Sequence, residues 1–500
     1  MNKKRIPGAF WLISAAFICK LLGAFFRIPL AEILGAEGIG VYQMVMPIYA
    51  LIFLLVSGGM STALARLVSD RRAKGGDAGG LLRAGLVYTT VFGILFGAVI
   101  AVFSFNIASF QNNVNAGYSY IVVGFSIAFT SIVSVFRGYL QGYERMQPTA
   151  ISQVLEQSVK VGFGLVLAYI FAPYGIAFGA LGAVLGLLSG EVVAVLYLFV
   201  SIKIYPRVSI FDKVSKQDFK DLLKIALPLT LTGLILPFCT AVDSFFEVRL
   251  LTHAGIEASK ATALFGIYSG MVVSIINLPV VLGTAIGVSL LPKISFLMSK
   301  GDMPSAEILI AKAFKWVWVL LIPSGVGVMV LAPEILGFLF PTSLTADMFI
   351  TGVRLLCLGG VSLIFMGIMQ LTTSVLQGMG QIKATVISFS VGGIIRLALT
   401  FGLTVIPEVN IFGSAISALV MYAVIAVINI CIIEGNIVFK LKAVDVLLPV
   451  VASVLMASLV YVFANSIGLD LFVKLILSVL LGVFVYGVFI VGNNLMRRKR

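Results

Sequence analysis

Lys20 and Arg27 stand seven residues apart in an otherwise apolar run. Seven residues make nearly two helical turns, so the two cations share one helix face about 10 Å apart. Ionisable groups inside such runs are costly and mark functional positions. A pair of cations on one face suits an anionic ligand. The other reading of Arg27, near the end of its run, is that it snorkels to an interface. Asp243 and Glu247 are at i and i+4, one carboxylate above the other, and repel unless a cation or a proton intervenes. They form a candidate coupling site, with simple neutralisation by Arg249 or Lys20 as the alternative. Glu156 and Lys160 share the same spacing in the Glu-first order that favours a structural ion pair, a cavity-lining role being the other reading. Arg396 has Gly392 where an acid would stand one turn before it, which suits an anionic ligand. Glu191 and Arg354 are weaker candidates. No metal site is expected, because His253 is the only histidine and Cys19, Cys239, Cys357 and Cys431 stand singly in apolar stretches.

The elements that position these groups follow from composition. The chain has 500 residues, 60% of them hydrophobic and 11% charged, with a mean hydropathy of +1.12. Soluble domains carry about a quarter charged residues, so a soluble enzyme is excluded, as is a disordered scaffold. The net charge of +14 fits the Lys and Arg excess of cytoplasmic loops rather than nucleic-acid binding. A bilayer core of about 30 Å needs roughly 20 apolar residues per helix. Fourteen such runs can be drawn, from 8–26 and 40–65 through 443–464 and 471–492, and none alternates as a barrel strand would. The expected class is an all-α polytopic membrane protein.

Orientation follows the cations. Lys3-Lys4-Arg5, the 66–83 segment, the 203–224 segment and Arg497-Arg498-Lys499-Arg500 are basic and fall on one side of an even number of spans. Both termini are therefore expected in the cytoplasm, with the chain in the cytoplasmic membrane. The first run looks like a signal peptide but lacks a small-x-small cleavage site, so it is expected to remain as a helix.

The chain also resembles itself. LQGYERMQPTAIS from Leu140 matches LQGMGQIKATVIS from Leu376 at an offset of 236, which sets Lys160 opposite Arg396. Phe25-Phe26, Gly35 and Glu37 match Phe245-Phe246, Gly255 and Glu257 at an offset of 220, and Ile48-Tyr49 matches Ile267-Tyr268 within one residue. Two related lobes are expected, 1–202 with six spans and 225–436 with six more. A cytoplasmic linker at 203–224 joins them, and 437–500 adds two spans and a basic tail. Parallel six-helix repeats are an architecture of alternating-access transporters. At the offset of 220, Arg27 falls opposite Glu247, so these two, directly or with Asp243, are candidates for a gate.

The run KLLGAFFRIPLAEILGAEGIGVYQ from Lys20, with its Gly35, Glu37, Gly38, Gly40 and Tyr42, and the repeated LQG element resemble the stage V sporulation protein B branch of the polysaccharide transporter family. That family belongs to the multidrug/oligosaccharidyl-lipid/polysaccharide flippase superfamily, and related members include the lipid II flippases. The resemblance implies a MATE-like pair of lobes and export of an undecaprenyl-pyrophosphate-linked saccharide, with the peptidoglycan precursor as one cargo. It implies a cationic cavity with basic residues on the first helix, which Lys20 and Arg27 match. Ile28 stands where those flippases carry an acid after the second Arg, so their ion pairing does not transfer.

The residues agree with an anionic lipid-linked cargo held by Lys20, Arg27, Lys160 and Arg396. No GxxxxGK[ST] loop is present, so an ion gradient or the membrane potential, not a cofactor, is expected to drive transport. The expected partners are the lipid-linked saccharide and membrane lipids, not nucleic acid, with the monomer as the working unit. A cation-coupled multidrug antiporter of the same superfamily is the alternative. A membrane-embedded glycosyltransferase is disfavoured, since no DxD motif or long outer loop is found.

Overall fold

Inside a bilayer every backbone N–H and C=O needs a partner within its own segment, so long apolar runs become helices. The computed structural model describes residues 8–204, 214–437, 443–466 and 468–498. The basic residues Lys3-Lys4-Arg5, Arg207, Lys213 and the side chains of Arg497-Arg498-Lys499-Arg500 lie outside the described residues.

The helices in chain order are α1 (Gly8–Ser57), α2 (Met60–Ala73), α3 (Gly79–Val102), α4 (Ser104–Phe110), α5 (Gly117–Gly142), α6 (Met146–Phe171), α7 (Ile176–Ile204), α8 (Lys216–Gly233), α9 (Ile235–His253) and α10 (Ala258–Phe265). They continue as α11 (Val273–Lys300), α12 (Met303–Val330), α13 (Ala332–Leu339), α14 (Ala346–Gly378), α15 (Ile382–Leu403), α16 (Phe412–Asn436), α17 (Ala443–Ser466) and α18 (Leu471–Arg498). Among the described residues there is no strand.

Twelve of the helical stretches are long and apolar enough to cross a membrane, and α8 with α9, bent by 59°, makes a thirteenth. The first, Phe10–Ala73, has 64 residues, about three bilayer cores in length at roughly 1.5 Å per residue. It holds two passes, which gives about fourteen spans in all. The two passes meet at Gly35, whose φ of 69° and ψ of 178° only glycine adopts readily.

By packing, the chain divides into Met1–Gly266 and Ile267–Arg500. In the first unit α2, α3, α5 and α8 enclose a core that includes Met60, Leu64, Leu81, Tyr139, Leu222 and Ala226. The linker expected at 203–224 therefore contributes a docked amphipathic helix. Ser215 caps α8, accepting from the Gln217 N–H at 3.1 Å, while the Ser215 N–H donates to Asp218 at 3.0 Å. Asp218 also holds Arg71 of α2 in an ion pair. Pro237 cannot donate a backbone bond, which accounts for the break before α9. In the second unit α17 and α18 pack on α12, joined by Met456, Val460 and a 2.8 Å bond from the Tyr486 hydroxyl to the Val319 carbonyl.

The duplication read from the sequence is present as backbone geometry. Helices α5 and α14 end identically, the Arg145 N–H bonding Leu140 O at 2.9 Å and the Gln381 N–H bonding Leu376 O at 2.8 Å. The residue after each cap is left-handed, Glu144 at φ 59° and Gly380 at φ 78°. Ser152 Oγ donates to Thr149 O at 2.7 Å and Ser388 Oγ to Thr385 O at 3.0 Å. Every one of these pairs is related by the same offset of 236. Gly35 and Gly255, at the other offset, both take positive φ, 69° and 86°.

Candidate functional site: a polar cluster inside the first unit

Close approach of α6 and α7 builds the site. Gly182, Gly186 and Gly190 each lie directly on the α6 backbone, at Leu167, Gly164 with Lys160, and Glu156 respectively. The GxxxG spacing of these glycines is thus a packing device. It also has a consequence for chemistry, because it sets Glu191, next to Gly190, within electrostatic reach of Glu156 and Lys160. Glu191 is fully buried. Its Oε1 accepts a short hydrogen bond from the Tyr49 hydroxyl of α1. Another neighbour of Glu191 is the Ser126 hydroxyl of α5.

Glu156 is paired, but not with Lys160. Its Oε2 lies 2.8 Å from Arg137 Nη2 of α5, and Arg137 Nε donates to Ser152 Oγ at 2.9 Å. The helical i, i+4 rule gives a geometric opportunity, and the guanidinium fork of α5 takes it by reaching two acceptors one turn apart on α6. Lys160 stays half-buried beside this pair. On α1, Cys19 is within electrostatic reach of both Glu156 and Arg137, and Gly23 faces the Gln157 side chain. Lys20, between them in sequence, is exposed. Arg27 is half-buried two turns further along, and its neighbour Phe26 meets the Tyr42 ring edge-on at 6.1 Å.

Asp243 and Glu247 are both buried, and their helix α9 packs against α1 within the first unit. Ser244 Oγ donates to Met44 O of α1 at 2.6 Å, and Gln111 Nε2 donates to Ser244 O at 3.1 Å. Arg249 is not their counter-ion. Its guanidinium lies 4.5 Å above the Phe110 ring and bonds the Phe110 carbonyl at 3.4 Å.

In the second unit Arg396 is buried, with Nη1 3.9 Å from Met421 Sδ. Gly392, which replaces the acid of the first repeat, lets α16 close on α15 at Ile425 and Met421. Arg354 is exposed. Among the described residues no group of three or more His, Cys, Asp or Glu side chains could hold a metal.

Two members of the cluster were not singled out from the sequence. Arg137 carried a signal, a lone cation near the end of an apolar run. Tyr49 carried another, since it recurs in the repeat as Tyr268, whose hydroxyl bonds Ser414 O at 3.3 Å.

The model of a family described as polysaccharide biosynthesis protein matches residues 6–298. The chain belongs to that family. Relatives of this polysaccharide biosynthesis protein include stage V sporulation protein B of Bacillus subtilis, 28% identical over 82% of this chain and 80% of the relative. The lipid II flippase MurJ of the same organism is 26% identical over 80% of this chain and 77% of its own. Among solved structures, lipid II flippase MurJ in an inward closed conformation superposes with a TM-score of 0.76 at 17% identity, covering 97% of this chain and 99% of that one. An inward-facing multidrug resistance MATE transporter of the MOP superfamily gives 0.72 at 17% identity over 84% and 94%. The family member described here thus has the fold shared by MurJ and the MATE transporters.

Proposed function

We propose that this protein flips an undecaprenyl-pyrophosphate-linked saccharide, a lipid II-like wall precursor, across the cytoplasmic membrane by alternating access. The observation that carries this reading is the polar cluster in the first unit, where Arg137 of α5 pairs with Glu156 of α6 beside Lys160 and the buried Glu191 of α7, while Lys20 and Arg27 are carried on α1, one exposed and one half-buried. Glu156 offsets one of these cations, at 2.8 Å from Arg137. A surplus of cations in a low-dielectric setting favours a doubly charged pyrophosphate. Likeness to MurJ supports the same cargo class. Arg396 is the buried cation that the second unit itself offers to an anionic head group. The head group crosses on these charges while the polyprenyl tail stays in lipid, driven by an ion gradient or the membrane potential. Both termini face the cytoplasm, and the monomer is the working unit. Asp243 and Glu247 act as the coupling or gating acids, with Arg27 as the cation they answer.

Complementation of a strain depleted of its lipid II flippases tests the substrate. Rescue by the wild type that Lys20→Ala or Arg396→Ala abolishes at equal membrane abundance is the expected result. Wild-type transport by both variants sinks the cationic-site reading. The MATE likeness keeps a second reading, a cation-coupled multidrug antiporter. Cation-dependent efflux of drugs without rescue would establish it instead.

A further inference from the structure

The hairpin of α11 and α12 carries a groove of about 530 Å³ lined by Pro292, Lys293, Phe296 and Leu297 on one side and Ser305, Ile308, Leu309 and Lys312 on the other. The α12 residues are at i, i+3, i+4 and i+7, a single helix face. Neither Lys293 nor Lys312 makes an ion pair among the described residues, whereas Lys315, one turn on, pairs with Asp445 of α17 at 3.2 Å. At the mouth Lys300 Nζ sits 4.5 Å above the Phe296 ring. Asp302 at the hairpin tip is engaged in capping α12, accepting from the Ser305 N–H at 3.2 Å, and among the described residues Glu307 of α12 makes no ion pair with either lysine. Phe296 and Ile308 are 56% and 63% exposed.

A hairpin of the first unit that ends in the same way shows the difference. Lys74-Gly75 ends α2 as Lys300-Gly301 ends α11, with both glycines left-handed at φ 71° and 72°. There α8 lies across α2 and α3, and Asp218 of α8 answers Arg71. The α11–α12 groove is lined by its own two helices alone, and its cations face it unanswered.

Depth identifies what fills it. Helix α12 has 28 residues, about 42 Å, which matches a bilayer with its head groups. Lys293 and Lys312 lie roughly 12–15 Å from the hairpin tip, on the side that the basic segments assign to the cytoplasm. Lysine stems at that depth carry their ammonium groups outward to the level of lipid phosphates. Trp316, 62% exposed one turn deeper, fits the aromatic belt of the same interface. We infer that this groove binds an acidic glycerophospholipid of the cytoplasmic leaflet. Lys293 and Lys312 hold its phosphodiester, and an acyl chain lies along Phe296, Leu297, Ile308 and Leu309. Two ammonium groups and one hydroxyl suit a phosphodiester. They lack the forked guanidinium donors that give bidentate recognition of a pyrophosphate.

Native mass spectrometry of the full chain released from detergent tests the assignment. The probes are phosphatidylglycerol, phosphatidylcholine and undecaprenyl phosphate, each titrated separately. The wild type is expected to retain one phosphatidylglycerol in preference to phosphatidylcholine. Lys293→Gln with Lys312→Gln should weaken that binding about tenfold or more, since each lysine near an anionic lipid contributes several-fold. Lys220→Gln, an exposed change on α8, should leave it intact. The substituted lysines are exposed, so folding is preserved, and an unchanged melting temperature verifies that. Equal retention of the two phospholipids overturns the inference, as does undiminished phosphatidylglycerol binding in the double variant. Tighter binding of undecaprenyl phosphate at the same lysines replaces the phospholipid by the polyprenyl carrier.

Discussion

Removing one partner of the Arg137–Glu156 pair should be worse than removing both. At 2.8 Å the gross Coulomb attraction is about 6 kcal/mol at an effective dielectric constant near 20. Desolvation offsets most of this, because Arg137 and Glu156 are only 16% and 22% exposed. Glu156→Gln leaves the guanidinium bonded to the neutral Ser152 hydroxyl, and stranding a buried charge costs about 3 kcal/mol or more. Unfolding entropy is about 2.1 cal/mol/K per residue, so for 500 residues the melting temperature should fall by roughly 3 °C. Arg137→Gln should cost a similar amount. The double variant Arg137→Gln/Glu156→Gln should regain most of the loss, for a coupling energy of about 1–3 kcal/mol. Arg137→Lys should fall between, keeping the charge and losing the fork to Ser152. Thermal melting of the purified protein in one detergent provides the cycle. Additive single effects, with no recovery in the double variant, would refute the argument that the pair is a closed electrostatic unit.

Glu144→Gly should stabilise the protein by about 0.5–1 kcal/mol, since a left-handed non-glycine residue costs about 1–2 kcal/mol and glycine returns part of that as chain entropy. Gly380→Ala at the repeat-related position should lose a similar amount, both read as melting shifts. Gly186→Leu should abolish folded protein on size-exclusion chromatography, because a side chain there meets the Gly164 and Lys160 backbone, while Gly162→Ala, with nothing within 4 Å, should be silent. The Ser305 hydrogen bonds hold the Asp302 carboxyl below its ordinary value. A lowered folded pKa stabilises above the unfolded value near 4 and is lost as pH falls through the folded one. Acidification below about pH 4 should therefore fray the start of α12, seen as faster hydrogen exchange at 303–306 after correction for intrinsic rate. Asp302→Asn should remove that pH dependence, and a variant that retains it refutes the cap.

The class of fold was legible in the sequence because hydropathy answers to a simple constraint, that backbone polar groups in lipid satisfy one another locally. The duplication was legible for a related reason. Helix caps such as Leu140–Arg145 and Leu376–Gln381 are local structures that short motifs specify, and both form as the motifs imply.

Partnership across helices was decided only by the tertiary structure. Spacing along α6 offered Lys160 to Glu156, yet α5 supplies Arg137, because the rotation of α5 against α6 is set by packing that no single-helix pattern encodes. The same holds for Arg249, close in sequence to Asp243 and Glu247 but turned onto Phe110 by the α4–α9 contact. Glu191 gained its weight from Tyr49, 142 residues away. Periodicity fixes which residues share a helix face. Which face meets which neighbour depends on side-chain fit summed over whole helices, and that is a property of the folded chain alone.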